Sequence, residues 1–200
     1  MFREKLLKNK IMWFAGAAVA VLLSGCSSDM SVSETELNAE VAKRLATNQP
    51  DIIQLSLEES TLNLDLLIKE ANIDLTERDG GLVMVDMKTD IRGTLNVFGQ
   101  EMTMKAQLDP SFESGLRIEE DRVYLVGAKL TQISVQGNSI SDEMFRNTLG
   151  SLHGDFEKAL ADYFNTHPVY VLNHSMTEKA AARMVKNIVI TDDSIEFMIF

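Results

Sequence analysis

The sequence predicts an α+β fold in which an antiparallel sheet packs its apolar face against a long amphipathic helix, with a helix before the sheet and a strand hairpin at the end. Two patterns carry this prediction. Between Leu62 and Gln136, apolar and polar residues alternate with a period of two over several long runs. From Phe145 to Tyr163, apolar residues recur at spacings of 4, 3, 4, 4 and 3. Period-two alternation means strands with one dry and one wet face. The second spacing is that of a helix with one apolar stripe. A one-faced sheet and a one-striped helix each need a partner to bury that face.

The first element is a helix from Glu34 to Ala46. Ser33-Glu34-Thr35-Glu36 has capping-box form, Leu37, Val41 and Leu45 follow at intervals of four, and Asn48 and Pro50 end it. Leu62, Leu64, Leu66 and Ile68 then alternate with polar residues. Asp79-Gly80-Gly81 marks a turn. Strands are predicted over Leu82–Lys88, Ile91–Val97, Met102–Leu108 and Arg122–Gln136, with a hairpin connection at Phe98–Glu101 and Asp109-Pro110 closing the Met102 strand. Ser141-Asp142-Glu143 reads as the start of the long helix, which Gly150 and Gly154 weaken in the middle. A short extended piece over Val169–Leu172, a helix over Thr177–Val185 and strands over Ile188–Ile190 and Ile195–Phe200 complete the chain.

The amino-terminal segment has another character. Arg3, Lys5, Lys8 and Lys10 precede an uncharged, largely apolar run from Ile11 to Leu23. That run is shorter than the roughly 20 residues needed to cross a bilayer core, and the pattern is that of a secretory signal peptide. Leu23-Ser24-Gly25-Cys26 fits the lipobox of bacterial lipoproteins, in which the cysteine sulfur is acylated and the chain is cut before it. The alternative is an ordinary signal peptide with a chance cysteine. Cys26 is the sole cysteine of the chain, so it has no internal disulfide to make. Residues 1–25 are thus expected to be a signal peptide, 26–33 a lipidated, flexible tether and 34–200 one domain. Two or more acyl chains, such as palmitate, give a stable anchor where one does not. Ser27, where an Asp would favour inner-membrane retention, points to the periplasmic face of the outer membrane of a Gram-negative cell.

The first 25 residues carry four bases and one acid, so the −11 of the whole chain becomes −14 for the remaining 175 residues. A domain this acidic lacks the basic footprint of a nucleic-acid binder. Acidic lipid headgroups would repel it too, so covalent lipid, not surface charge, would hold it at a membrane. Nine of the 11 methionines lie beyond the signal segment, suited to filling an irregular core or to lining an apolar pocket.

Sequence motifs for catalysis are missing. His153, His167 and His174 have no metal-ligand spacing, and there is no nucleophile elbow, phosphate loop or dinucleotide fingerprint. Acidic runs such as Glu119-Glu120-Asp121 and Asp192-Asp193 fall where turns are expected. The expectation is a non-enzymatic protein with no cofactor and no metal.

The run Tyr163-Phe164-Asn165-Thr166-His167-Pro168-Val169-Tyr170-Val171-Leu172, the helix that follows it and Thr35-Glu36-Leu37-Asn38 near the start resemble the YceB-like lipoproteins, a bacterial family without an assigned activity. The resemblance covers nearly all of the chain beyond Cys26. It implies a strongly curved antiparallel sheet wrapped around a long helix, similar to the tubular lipid-binding domains that hold acyl chains between sheet and helix. It implies no catalytic residues.

Two functions follow as expectations. In the first, sheet and helix enclose a cavity for a lipid or other apolar ligand, lined by Leu64, Leu66, Leu95, Met102, Met104, Leu149, Leu152 and Phe156. In the second, the core is filled and the lipoprotein docks onto an envelope protein partner.

Overall fold

The computed structural model describes residues 30–46, 52–57, 62–97, 99–172, 182 and 184–198, with the backbone alone at 30 and 95–97. The expected signal peptide, Cys26, most of the Thr177–Val185 helix and the last two residues lie outside these.

The first helix, α1 (Glu34–Leu45), begins as its sequence requires. Ser33 is extended, its hydroxyl accepts the Glu36 amide at 3.3 Å, and the Glu36 carboxylate accepts the Ser33 amide at 2.9 Å. These bonds hold the Glu36 carboxyl below its ordinary pKa, the Ser33 amide contributing most. Met30–Ser33, expected as part of the tether, instead forms a strand, β1. Its alternation of Met30 and Val32 with Ser31 and Ser33 lets it pair along its whole length with Ser194–Phe197 of β9 (Ser194–Met198), which also pairs β8 (Asn187–Ile190). The C-terminal hairpin is therefore the core of a three-stranded sheet in the order β1-β9-β8.

The main sheet is antiparallel and runs β2 (Ile52–Leu57), β3 (Leu62–Thr76), β4 (Leu82–Val97), β5 (Gln100–Glu119), β6 (Arg122–Gln136) and β7 (Tyr170–Val171), in that spatial order. The two stretches Leu82–Lys88 and Ile91–Val97 are one strand. Asp109-Pro110 does not end β5 as its sequence suggests; the strand passes through to Glu119. Proline lacks the amide a ladder needs. The ladder to β4 accordingly lapses between the pairs Asp86–Ser111 and Thr89–Leu108, while the ladder to β6 continues through Pro110–Ile133. Thr89, 2% exposed, donates its hydroxyl to Leu108 O at 2.7 Å beside this gap.

A bulge between Ile68 and Glu70 reverses the facing of β3. Before it, Leu62, Leu64 and Leu66 point inward; after it, Ala71, Ile73 and Leu75 do.

The expected long helix is two helices, α2 (Ile140–Ser151) and α3 (His153–Thr166). Leu152 leaves helical geometry at φ −109°, ψ 20°, between the two weak helix formers Gly150 and Gly154. The apolar stripe continues across the break, which is why its spacing does not reveal it. The cap is Ser139, two residues before the expected start, and Asp142 completes its capping box. α3 contacts both β2 and β6. Three strands lie between these two, so one helix can touch both only if the sheet curves around it.

An apolar cleft beside α1 and α3

Lengthwise, the sheet–helix interior differs in how it is filled. Toward the β4–β5 turn it is closed. Phe145, Leu149 and Phe156 pack with Leu64, Leu66, Met104 and Leu108, all 7% exposed or less. Gly93 makes this closeness possible: a Cβ there would sit 2.7 Å from Phe145 Cζ and 3.4 Å from Leu64 Cδ2. Five of the residues expected to line a cavity (Leu64, Leu66, Met104, Leu149 and Phe156) are thus packed core. Leu152 is half-buried, Met102 is 46% exposed, and the Leu95 side chain lies outside the described residues.

Toward the β3–β4 turn the interior opens into a cleft of about 240 Å³. None of the seven expected lining residues with described side chains borders it. Its floor is Ile73, Val83, Val85, Phe112 and Leu125 from the inner face of the sheet. α3 and the segment after it supply Tyr163, Phe164, His167, Pro168 and Val169. On the remaining side stand Val41, Arg44 and Leu45 of α1, facing Ile52 and Ile68.

The reason α1 lies here is the uncovered edge of β3. Strand β2 pairs with Leu62–Leu67 alone, which leaves the rest of β3 with unpaired backbone groups on that side. α1 satisfies some of them with side chains. Asn38 Nδ2 donates to Ile73 O at 2.7 Å, Ile73 N–H donates to Asn38 Oδ1 at 2.8 Å, and Leu75 N–H donates to Glu34 Oε2 at 2.9 Å. At the far end of the helix, Arg44 Nη1 donates to Val169 O at 3.0 Å. The helix has no fully buried residue of its own, so these polar bonds and the half-buried Leu37 seat it. The other exposed edge, β6, is treated alike: Leu130 N–H donates to Glu157 Oε2 at 2.8 Å, and Arg146 Nη2 donates to Val135 O at 3.1 Å.

The cleft walls are fixed by aromatic contacts. Phe164 lies 5.1 Å from Phe112 between ring centroids, and His167 stacks on Tyr163 at 4.1 Å and 7°. Val169 N–H donates to Val123 O at 2.9 Å and anchors the segment after α3 to the sheet. Sequence reasoning did not assign these residues to a site. A signal was present in the Tyr163–Leu172 run, five residues of which form one wall.

The outer face of the sheet carries a wider, polar depression of about 800 Å³. Both of its lysines are paired: Lys88 with Glu70 at 2.7 Å, which raises the Lys88 pKa, and Lys69 with Asp90 at 3.0 Å. Among the described residues there is no cluster of three metal-binding side chains, and no helix is long and apolar enough to cross a membrane.

Comparison with known proteins agrees with the resemblance. The chain is 26% identical over 191 residues to the uncharacterized lipoprotein YceB of Escherichia coli (strain K12), covering 90% of this chain and 92% of that protein. YceB of Shigella flexneri matches to the same extent. Among solved structures, a lipopolysaccharide binding protein superposes with a TM-score of 0.32 at 11% identity, over 86% of this chain and 48% of that one, so the chain spans about half of its length. The model of the family described as protein of unknown function (DUF1439) matches residues 32–194, and the chain belongs to that family.

Proposed function

We propose that this chain is a lipoprotein, acylated at Cys26 and held on the periplasmic face of the outer membrane of a Gram-negative cell, that receives a lipid or other apolar ligand in the cleft beside α1 and α3. The observation that carries the reading is the cleft itself. Protein interiors are close-packed, yet this one stays open where the Tyr163–Val169 segment and α1 meet the sheet. The lipobox at Leu23–Cys26, Ser27 after it and the lipoprotein relatives support the anchor. In this reading the chain acts without a catalytic step, cofactor or nucleic acid.

The reading is tested on the full chain in cells. A photo-crosslinking residue at Val41, half-buried in the cleft wall, is expected to capture lipid identified by mass spectrometry, and the same residue at the exposed Asn147 of α2 is not. Equal capture at both positions would remove the cleft from the reading. Cys26→Ser should abolish incorporation of labelled palmitate; retained label would remove the anchor.

A second reading, docking onto an envelope protein, is favoured by Ile140 and Met144. They lie one turn apart on α2 and are 81% and 45% exposed.

A further inference from the structure

We infer that the domain rests on the membrane that anchors it by the open end of its three-stranded sheet, with Met184 and Lys186 against the lipid surface. The inference rests on the Cys26 anchor and adds a contact face to it. The first observation is the length of the tether. The sequence allows residues 26–33 between lipid and domain, and β1 takes Met30–Ser33 of these into a paired strand. Met30 is therefore four residues from Cys26, a span of at most about 14 Å in fully extended chain. The end of the small sheet where Met30 lies stays within that distance of the anchor.

The second observation is which side chains share that end. Met30 pairs with Phe197, and the neighbouring Met198 O accepts the Lys186 amide at 2.8 Å. Lys186 and Asn187, both exposed, and Met184, 52% exposed, thus stand where the tether enters. The opposite end of the small sheet is taken up by the domain itself. There the Glu34 amide donates to Asp193 O at 2.8 Å and the Glu77 amide donates to Asp192 Oδ1 at 3.0 Å. Gly81 lies so close to Ile190 that a Cβ on it would meet the Ile190 Cβ at 2.7 Å. The acidic turn of the hairpin faces α1 and the β3–β4 turn, and the end with Met184 and Lys186 faces the anchor.

A lipid surface fits these residues. Methionine is apolar and adapts to irregular surroundings. A lysine lays its apolar stem at an interface and keeps its ammonium among the headgroups. At an anionic leaflet a base gains where the acidic remainder of the domain loses. The covalent lipid holds the chain, and this contact decides which face meets the membrane. The α2 helix then stands away from it: Phe145 packs at Gly93, 12 residues along the chain from Gly81 and roughly 40 Å at the rise of a strand. A chain tethered this closely works at the leaflet that anchors it.

The experiment uses the full acylated chain in vesicles of phosphatidylethanolamine and phosphatidylglycerol that carry a nitroxide on some headgroups. A fluorescent residue replaces Asn187 in one sample and the equally exposed Asn147 of α2 in another. Strong quenching is expected at 187 and background quenching at 147. Equal quenching, or stronger quenching at 147, overturns the orientation. Met184→Asp combined with Lys186→Glu should lower quenching at 187 about fivefold or more, the change in docked population that one basic contact at an anionic surface supports. Unchanged quenching in that variant overturns the role of the two residues. Met184→Leu combined with Lys186→Arg should keep the quenching, and its loss there would assign the pair to the fold and overturn the contact. Palmitate on Cys26 and flotation with the vesicles are read on every sample, so loss of the contact is distinguished from loss of the anchor. A parent chain without palmitate overturns the anchor and, with it, this inference.

Discussion

Asn38 and Ile73 are joined as two strands would be: the side-chain amide of one donates to and accepts from the backbone of the other, at 2.7 and 2.8 Å. A helix residue thereby continues the ladder that β2 leaves unfinished, and the same contact places α1 against the cleft. Asn38→Ala should leave the Ile73 amide and carbonyl without partners in a half-buried position and cost about 1–3 kcal/mol. Asn38→Asp keeps the acceptor, loses the donor and should cost nearly as much. Urea unfolding gives the magnitude, and faster hydrogen exchange at Ile73 locates it. Unchanged exchange at Ile73 would show that α1 is held by other means.

Gly93 tests the closed end of the interior. Gly93→Ala brings a Cβ to within 2.7 Å of the fully buried Phe145 ring, and overpacking of this kind costs about 1–3 kcal/mol. Phe145→Leu alone loses ring contacts, but combined with Gly93→Ala it relieves the clash. The double variant should therefore be more stable than the sum of the two single losses. Strict additivity would mean that the two residues are not coupled.

The strands and their inward faces are legible in the alternation of Leu62–Ile68, Ile91–Val97 and Arg122–Gln136, because a face buried against helices must read apolar at every second position. The Pro110 and Leu152 departures were not legible. A proline is tolerated within a strand when its missing donor falls in a lapse of the ladder, and that depends on the neighbouring strand. A helix break that preserves the apolar stripe leaves no trace in the spacing. The cleft was hidden for a related reason. Inward-facing residues such as Leu64 and Val85 look alike in sequence, and what separates packed core from open cleft is the height at which Phe145, Leu149 and Phe156 fill the space.

The two capping boxes make stability fall in acid. Glu36, through the Ser33 amide above all, and Asp142, through the Ser139 hydroxyl above all, have pKa values below their ordinary ones. A carboxyl lowered in the folded state favours folding when ionised. That contribution is complete above the unfolded value, about 4, and is lost as pH falls through the lower folded values. Glu36→Gln keeps a capping partner without the titration, and Asp142→Asn removes the second titrating carboxyl. The double variant should show a shallower fall in melting temperature than the parent between about pH 6 and pH 3. Parallel curves would mean that other carboxylates govern the acid transition.

Val41 separates the cleft from the stability of the fold. It stands half-buried on α1 and borders the cleft, so a larger side chain there can fill the space without displacing the packed core at Phe145 and Phe156. Val41→Trp should change stability by no more than about 0.5 kcal/mol, as for substitutions away from the core. It should also reduce capture of a diazirine lipid probe at residues 163–169 by about tenfold or more, a loss of one anchoring contact's worth of affinity. Thermal unfolding and adduct quantification on the same preparation check both halves. Stability lost together with capture would make Val41 a packing residue of α1. Stability kept and capture unchanged would mean that the lipid lies elsewhere, and would turn attention to the exposed Ile140 and Met144 of α2 as the surface that works.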